Sequence, residues 1–319
     1  MSCDSQLRID GTLQAHLFAG FPERSSSPYN CDVVLVPVTT WQDYRFNPRL
    51  LDFKKPYVLL DFTEMEHNYF DLGSPTMLFG KNAKECRWLT PHWHHLDNFV
   101  RENPPILYLK RELLAVDESD TVKPCDWPCR LEIPAPQTED QFNERPIDVF
   151  HCWGFSHPSR PILHAAIFHA MTTHGIGVIS ESDQFHEYFK SPAARTWASI
   201  FAPHYARRPI TTIEWYQERS KMSVSLPGCG AKCFRMAEAP VGTIMAMMHD
   251  KLAWSYDWID GVNCIRVSTD NEKVFTDLDA ATRRPDLYQI YLASQDTVRK
   301  YQTKPYCENY ILPLIEARL

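Results

Sequence analysis

Lys232, Arg235 and Glu238 stand three residues apart just after a Pro227–Gly230 turn, and at helical spacing they share one face. Gly228 and Gly230 let that turn take backbone conformations that other residues avoid. Free N–H groups at the start of a helix, with a lysine and an arginine beside them, suit a diphosphate. A carboxylate one turn further on suits the hydroxyls of a ribose or a sugar. Together these features fit a nucleotide-sugar site. The same spacing also describes a solvated ion pair between Arg235 and Glu238, worth roughly 0.2–0.5 kcal/mol. Spacing alone leaves both readings open.

The flanking sequence supplies elements to position such a loop. Met222–Leu226 is a short β-prone run before the turn, and Thr243–Met248 is apolar throughout, as in a parallel strand covered on both faces. Upstream, Asn30–Val38, Pro56–Asp61 and Pro105–Leu109 read as buried strands, each followed by polar residues. Lys123–Glu144 carries Pro124, Pro128, Pro134 and Pro136 and reads as a linker. Beyond it, strands are expected at Ile147–Trp153, Gly177–Ser180, Arg219–Leu226 and Cys264–Val267. Helices are expected at Ser159–His174, Asp183–Phe189, Ala193–Ala202, Asn271–Thr282 and Leu287–Tyr301, with a terminal one at Tyr306–Ala317 interrupted by Pro313. Strands alternating with helices on both sides of the linker predict an α/β protein of two doubly wound, Rossmann-like domains facing a cleft. The first spans residues 1–144 and the second 145–319, with the terminal helix returning to the first. Ligands then belong at the carboxyl edges of the strands.

At 319 residues, 44% hydrophobic and 23% charged, the chain is long and apolar enough for two such cores. Its net charge of −7 speaks against coating nucleic acid through an overall field. There is no run of eighteen apolar residues, so no membrane span is expected. The start, Met1–Asp10, has neither a basic opening nor an apolar core, and the ten cysteines are scattered. Reduced thiols and a cytoplasmic location are therefore expected. Cys125 with Cys129, and Cys229 with Cys233, repeat one spacing, but neither pair has the further ligands a structural zinc needs.

Ser220-Lys221, Val224–Leu226, Pro227–Gly230, Arg235, Glu238 and Ile244–Met248 running toward Asp250 resemble the second-domain signature of glycosyltransferases of the GT-B architecture, the exostosin-like ones in particular. Arg145–Gly154, followed by Arg160 on a helix, resembles the strand and glycine turn that open that domain. The resemblance covers residues 145–270. It implies a hexosyl- or pentosyltransferase that takes a nucleotide-diphosphate sugar as co-substrate, with no cofactor and no metal. It implies donor binding by Gly154, Ser156, Arg160, Gly228, Gly230, Lys232, Arg235, Glu238 and Asp250. The acceptor it implies is a saccharide, or a hydroxymethylated DNA base as for phage enzymes of this architecture. Eight positions after Glu238 stands Ala246, where the retaining pattern has a second glutamate. A protein that binds nucleotide sugars without turnover thus stays open beside the enzyme.

A catalytic base is expected from the first domain. Asp61, Glu64 and Glu66 form the densest acid cluster directly after a buried strand, although Thr63 and Glu66 also fit a helix-capping box. Lys110-Arg111-Glu112 follows the next strand and is placed to approach an acceptor. His92, His94 and His95 are the rival cluster: such histidines can share a zinc ion in a hydrolase, though the set lacks a clear acidic partner. Of the nine tryptophans, Trp254 and Trp258 are among those near strand ends where a ring can stack on a sugar or base.

Overall fold

The computed structural model describes residues 32–38, 55–62, 102–152, 178–181, 217–225, 232, 235–247, 252–268 and 273–319. Within them lie two parallel sheets. The first joins β1 (Val34–Val38), β2 (Tyr57–Asp61), β3 (Leu107–Lys110) and β4 (Val122–Pro124) in that order. The second contains β5 (Ile147–Cys152), β6 (Val178–Glu181), β7 (Ser220–Ser225), β8 (Ile244–Met247) and β9 (Cys264–Arg266), in the order β6-β5-β7-β8-β9. Every pairing in both sheets is parallel.

The strand sequences explain their burial. A strand covered on both faces needs apolar side chains in both phases of its alternation. In β8, Met245 and Met247 join one apolar cluster while Ile244 and Ala246 join another. The first cluster also takes in Val58, Leu60, Leu107 and Leu109 of the first sheet, so apolar packing runs from one sheet to the other. The second covers the opposite face with Val149, Met222, Val224 and helices α3 (Lys273–Thr282) and α4 (Leu287–Lys300).

Three elements differ from expectation. Val122–Pro124 is a strand, and Glu139–Asn143 (α1) a helix, inside the stretch read as linker. β4 has only three residues, and its final Pro124 contributes no ladder N–H, which suits its place at the edge of the described sheet. α1 starts at a capping box in which Thr138 and Gln141 satisfy each other's backbone N–H groups. At the C-terminus, α2 (Arg235–Glu238) aside, the chain runs through α5 (Thr303–Tyr306), a wide π turn (Cys307–Ile311) and α6 (Leu312–Glu316). Pro313 does not interrupt it. The Leu312 N–H reaches back to the Cys307 carbonyl, and this wider turn makes room for a ring that would crowd an ordinary helical carbonyl.

Arg145 anchors the entry to the second sheet. Its Nη1 donates to the carbonyls of Ser220 (2.5 Å) and Gly242 (2.6 Å), just where β7 and β8 begin. Its guanidinium lies between the rings of Phe142 and Tyr291, 4.9 Å from each centroid. Burial pulls its pKa down, opposed by Tyr291. Gly242 has a φ of 72°, which favours glycine, and its N–H is held by Gln295 Oε1 at 2.8 Å. Replacing Arg145 with Met should lower unfolding stability by roughly 1.5–3 kcal/mol per charged hydrogen bond lost, read by urea denaturation.

Cys129, Cys264 and Cys307 are buried and free, and burial pushes each thiol from 9.0 up to about 12. In the native protein they should resist alkylation at pH 8, as peptide mapping by mass spectrometry can read. The folded state holds these protons where the unfolded chain releases them. Their contribution to stability is therefore complete below pH 9 and is lost as the pH rises toward 12.

Candidate functional site

The strand order places the carboxyl ends of both sheets toward the residues that carry chemistry. In the second sheet β6 lies on one side of β5 and β7 on the other, so the winding reverses between β5 and β7. In sheets of this order the crevice at that reversal is the usual ligand site. β5 ends at Cys152 and β7 at Ser225, so Gly154 and Ser156 follow one of these strand ends, and Gly228 and Gly230 the other.

In the first sheet Asp61 ends β2 and Lys110 ends β3, and the two are register partners. Partners in a parallel ladder point to the same face, as does Tyr108 two residues back. Asp61 Oδ2 accordingly accepts from Lys110 Nζ at 2.9 Å and Tyr108 Oη at 2.6 Å, and all three residues are fully buried. This corrects the expectation of Asp61 as a cleft-facing base: its carboxylate is enclosed and ion-paired. Lys110 and Glu112 are likewise buried, not presented to an acceptor.

Lys232 joins the two halves. Its backbone N–H donates to both carboxylate oxygens of Glu112, at 3.0 and 3.2 Å, two residues after β3. Its ammonium lies 2.6 Å from Asp126 Oδ1, two residues after β4, donates to the Ala253 carbonyl, and sits 4.4 Å from the centre of the Trp254 ring. With 1% of its surface exposed, Lys232 is a buried strut and not the open phosphate ligand the sequence suggested. Asp126 is held in turn: Oδ2 accepts from the Ser255 N–H (2.7 Å) and Tyr301 Oη (3.1 Å), and its own N–H donates to Tyr306 Oη (2.8 Å). Burial, reinforced by the Asp126 charge, pushes the Tyr301 hydroxyl pKa well up. Beside this network lies a pocket of about 10 Å³, the room of one water, between Asp126, Lys232, Trp254 and Trp258. Trp258 is buried and stacks on Tyr301 at 6.0 Å, and the half-buried Trp254 packs against the same apolar cluster.

Glu238 ends α2 with its side chain half-buried. Its Oε1 accepts two hydrogen bonds from Arg130, from Nε at 2.9 Å and Nη2 at 2.6 Å. Arg235 opens the same helix. Glu64, Glu66, Gly154, Ser156, Arg160, Gly228, Gly230 and Asp250 lie outside the described residues, as do His92, His94 and His95. Glu112, Asp126 and Arg130 did not stand out as partners in the sequence. The signal for the first two was their position just after strands, and for Asp126 the strand itself was too short to read.

Against known proteins, no family model and no curated sequence matches this chain. Solved structures do. An α,α-trehalose 6-phosphate synthase from Burkholderia multivorans superposes with a TM-score of 0.54 at 10% identity, over 96% of this chain and 74% of that one. TarM gives 0.53 at 12% identity, over 88% and 54%, and the GtfA/B complex 0.54 at 8%, over 90% and 57%. The chain thus spans just over half the length of the latter two. At this identity the likeness carries the fold: two Rossmann-like α/β domains in the GT-B arrangement.

Replacing Lys232 with Met leaves Asp126 buried without its cation and should cost roughly 3–5 kcal/mol of stability in urea unfolding. Adding Asp126→Asn should restore a good part of the loss. A stability unchanged by the single substitution would contradict the strut.

Proposed function

We propose that the chain is a glycosyltransferase that moves a hexosyl or pentosyl group from a nucleotide-diphosphate sugar to an acceptor hydroxyl without a metal. The observation that carries this reading is the strand order: the winding of the second sheet reverses between β5 and β7, the two strands followed in sequence by Gly154 and by Gly228 and Gly230. A diphosphate in that crevice would meet backbone N–H groups after Gly228 and Gly230, with Arg160 and Arg235 for its charge. Gly154 and Ser156 would close the opposite side. Glu238 would accept from ribose or sugar hydroxyls, with Asp250 nearby on the donor. Lys232, held from the first sheet, would set the loop.

In the reaction the bond between the sugar and the diphosphate breaks, and its electrons stay on the leaving phosphate oxygen. Charge grows there in the transition state, so cations fixed in advance contribute most at that moment. The acceptor oxygen bonds to the sugar carbon and gives its proton to a carboxylate. With Asp61 enclosed, Glu64 and Glu66 are the proposed bases. The net charge of −7 favours a saccharide acceptor over a hydroxymethylated DNA base. Among the described residues, no helix is long and apolar enough to cross a membrane.

A thermal-shift screen against nucleotide-diphosphate sugars tests this directly, since a ligand bound only by the native state raises Tm. One donor should raise Tm by several degrees and be hydrolysed slowly, and Arg235→Ala should abolish both effects. Binding without hydrolysis or transfer would mark a nucleotide-sugar-binding protein instead. Glu238→Ala should lower kcat/KM about tenfold or more, the value of one charged hydrogen bond.

A further inference from the structure

We infer that Arg130 is a positioning residue for the donor: it fixes the Glu238 carboxylate so that one oxygen is free to read the vicinal hydroxyls of a ribose. The inference rests on the donor-binding role proposed for Glu238 and extends it to a residue from the other half of the molecule. Arg130 lies six residues after the end of β4, whereas Glu238 closes α2 in the second half. Both donors of Arg130, Nε at 2.9 Å and Nη2 at 2.6 Å, converge on Oε1. Among the described residues none donates to Oε2. The Glu238 backbone is fixed as well, with its carbonyl accepting from Gln217 Nε2 at 2.7 Å.

This differs from a common surface ion pair. The Glu238 side chain keeps only 14% of its exposure and Arg130 33%, so the pair is partly shielded and its geometry set. A carboxylate left to itself samples several rotamers and must be ordered when ligand arrives. One already held by a planar guanidinium loses little freedom on binding. Two adjacent hydroxyls can then both donate to Oε2. A 2′-deoxyribose supplies one fewer donor to that oxygen. The pair spans both halves, so recognition of the ribose depends on the first sheet's position relative to the second.

The test compares dissociation constants of ribonucleoside diphosphates with those of their 2′-deoxy counterparts, by calorimetry on the full chain. The wild type should prefer the ribose form by roughly tenfold or more. Arg130→Gln should reduce that preference to about twofold or less, as should Glu238→Gln, while Arg130→Lys should fall between, keeping the charge without the fork. A merely structural Arg130 would weaken both ligands equally, and an unchanged ratio in Arg130→Gln overturns the inference. If Glu238→Gln removes the preference and Arg130→Gln does not, the inference falls and the donor role of Glu238 stands. If the wild type shows no preference, or binds no ribonucleoside diphosphate, both fall together.

Discussion

Two buried carboxylates and one buried lysine determine how this molecule is assembled. Glu112 and Asp126 stand just past the ends of neighbouring strands in the first sheet, and Lys232 stands seven residues past the end of β7 in the second. Charges out of water are tolerated only when paired and hydrogen-bonded. Glu112 meets the Lys232 backbone, Asp126 meets its ammonium, and Ser255, Tyr301 and Tyr306 complete the shell. The partners come from widely separated parts of the chain, Glu112 and Asp126 from the first half, Ser255 after β8, and Tyr301 and Tyr306 from the C-terminal helices. The carboxyl edges of the two sheets are therefore brought together at one place, where an α/β sheet carries its ligands.

The apolar packing agrees with this. One cluster runs from β2 and β3 through α2 and β8 to Tyr301, Tyr306 and Ile311, so the C-terminal helices cover both sheets. Tyr310 Oη donates to the Pro124 carbonyl at the end of β4, a further tie between the terminal segment and the first sheet. The second cluster gathers β5, β7, β8, β9, α3 and α4, together with Phe142 of α1. Lys232, just ahead of α2, is thus held by both halves, while the Glu238 side chain keeps 14% of its exposure.

Much of the fold was legible because fully buried parallel strands must be apolar on both faces. Val224 and Ile244–Met247 announce themselves, and the alternation of strands with helices leaves few topologies. β4 was not legible. A three-residue strand of Val, Lys and Pro has no periodicity to read, and the prolines around it imitate a linker. The Thr138–Gln141 capping box was a readable signal masked by the same prolines. The roles of Lys232 and Asp61 were misread for a different reason. Residue type shows that a lysine carries charge, not whether a carboxylate 120 positions away will take its N–H, or one at the end of β4 its ammonium. Long-range pairing of charges is decided by topology. Arg130 escaped notice on the same ground, since 108 positions separate it from Glu238.

The central claim is that an anionic donor docks where the second sheet reverses its winding, between the ends of β5 and β7. A crystal structure of the chain with a bound nucleoside diphosphate tests it most directly. The account predicts the phosphates between residues 153–160 and 226–235, with the ribose hydroxyls on Glu238. A nucleotide seated elsewhere on the molecule, or one that leaves Arg235 and Glu238 untouched, would contradict it.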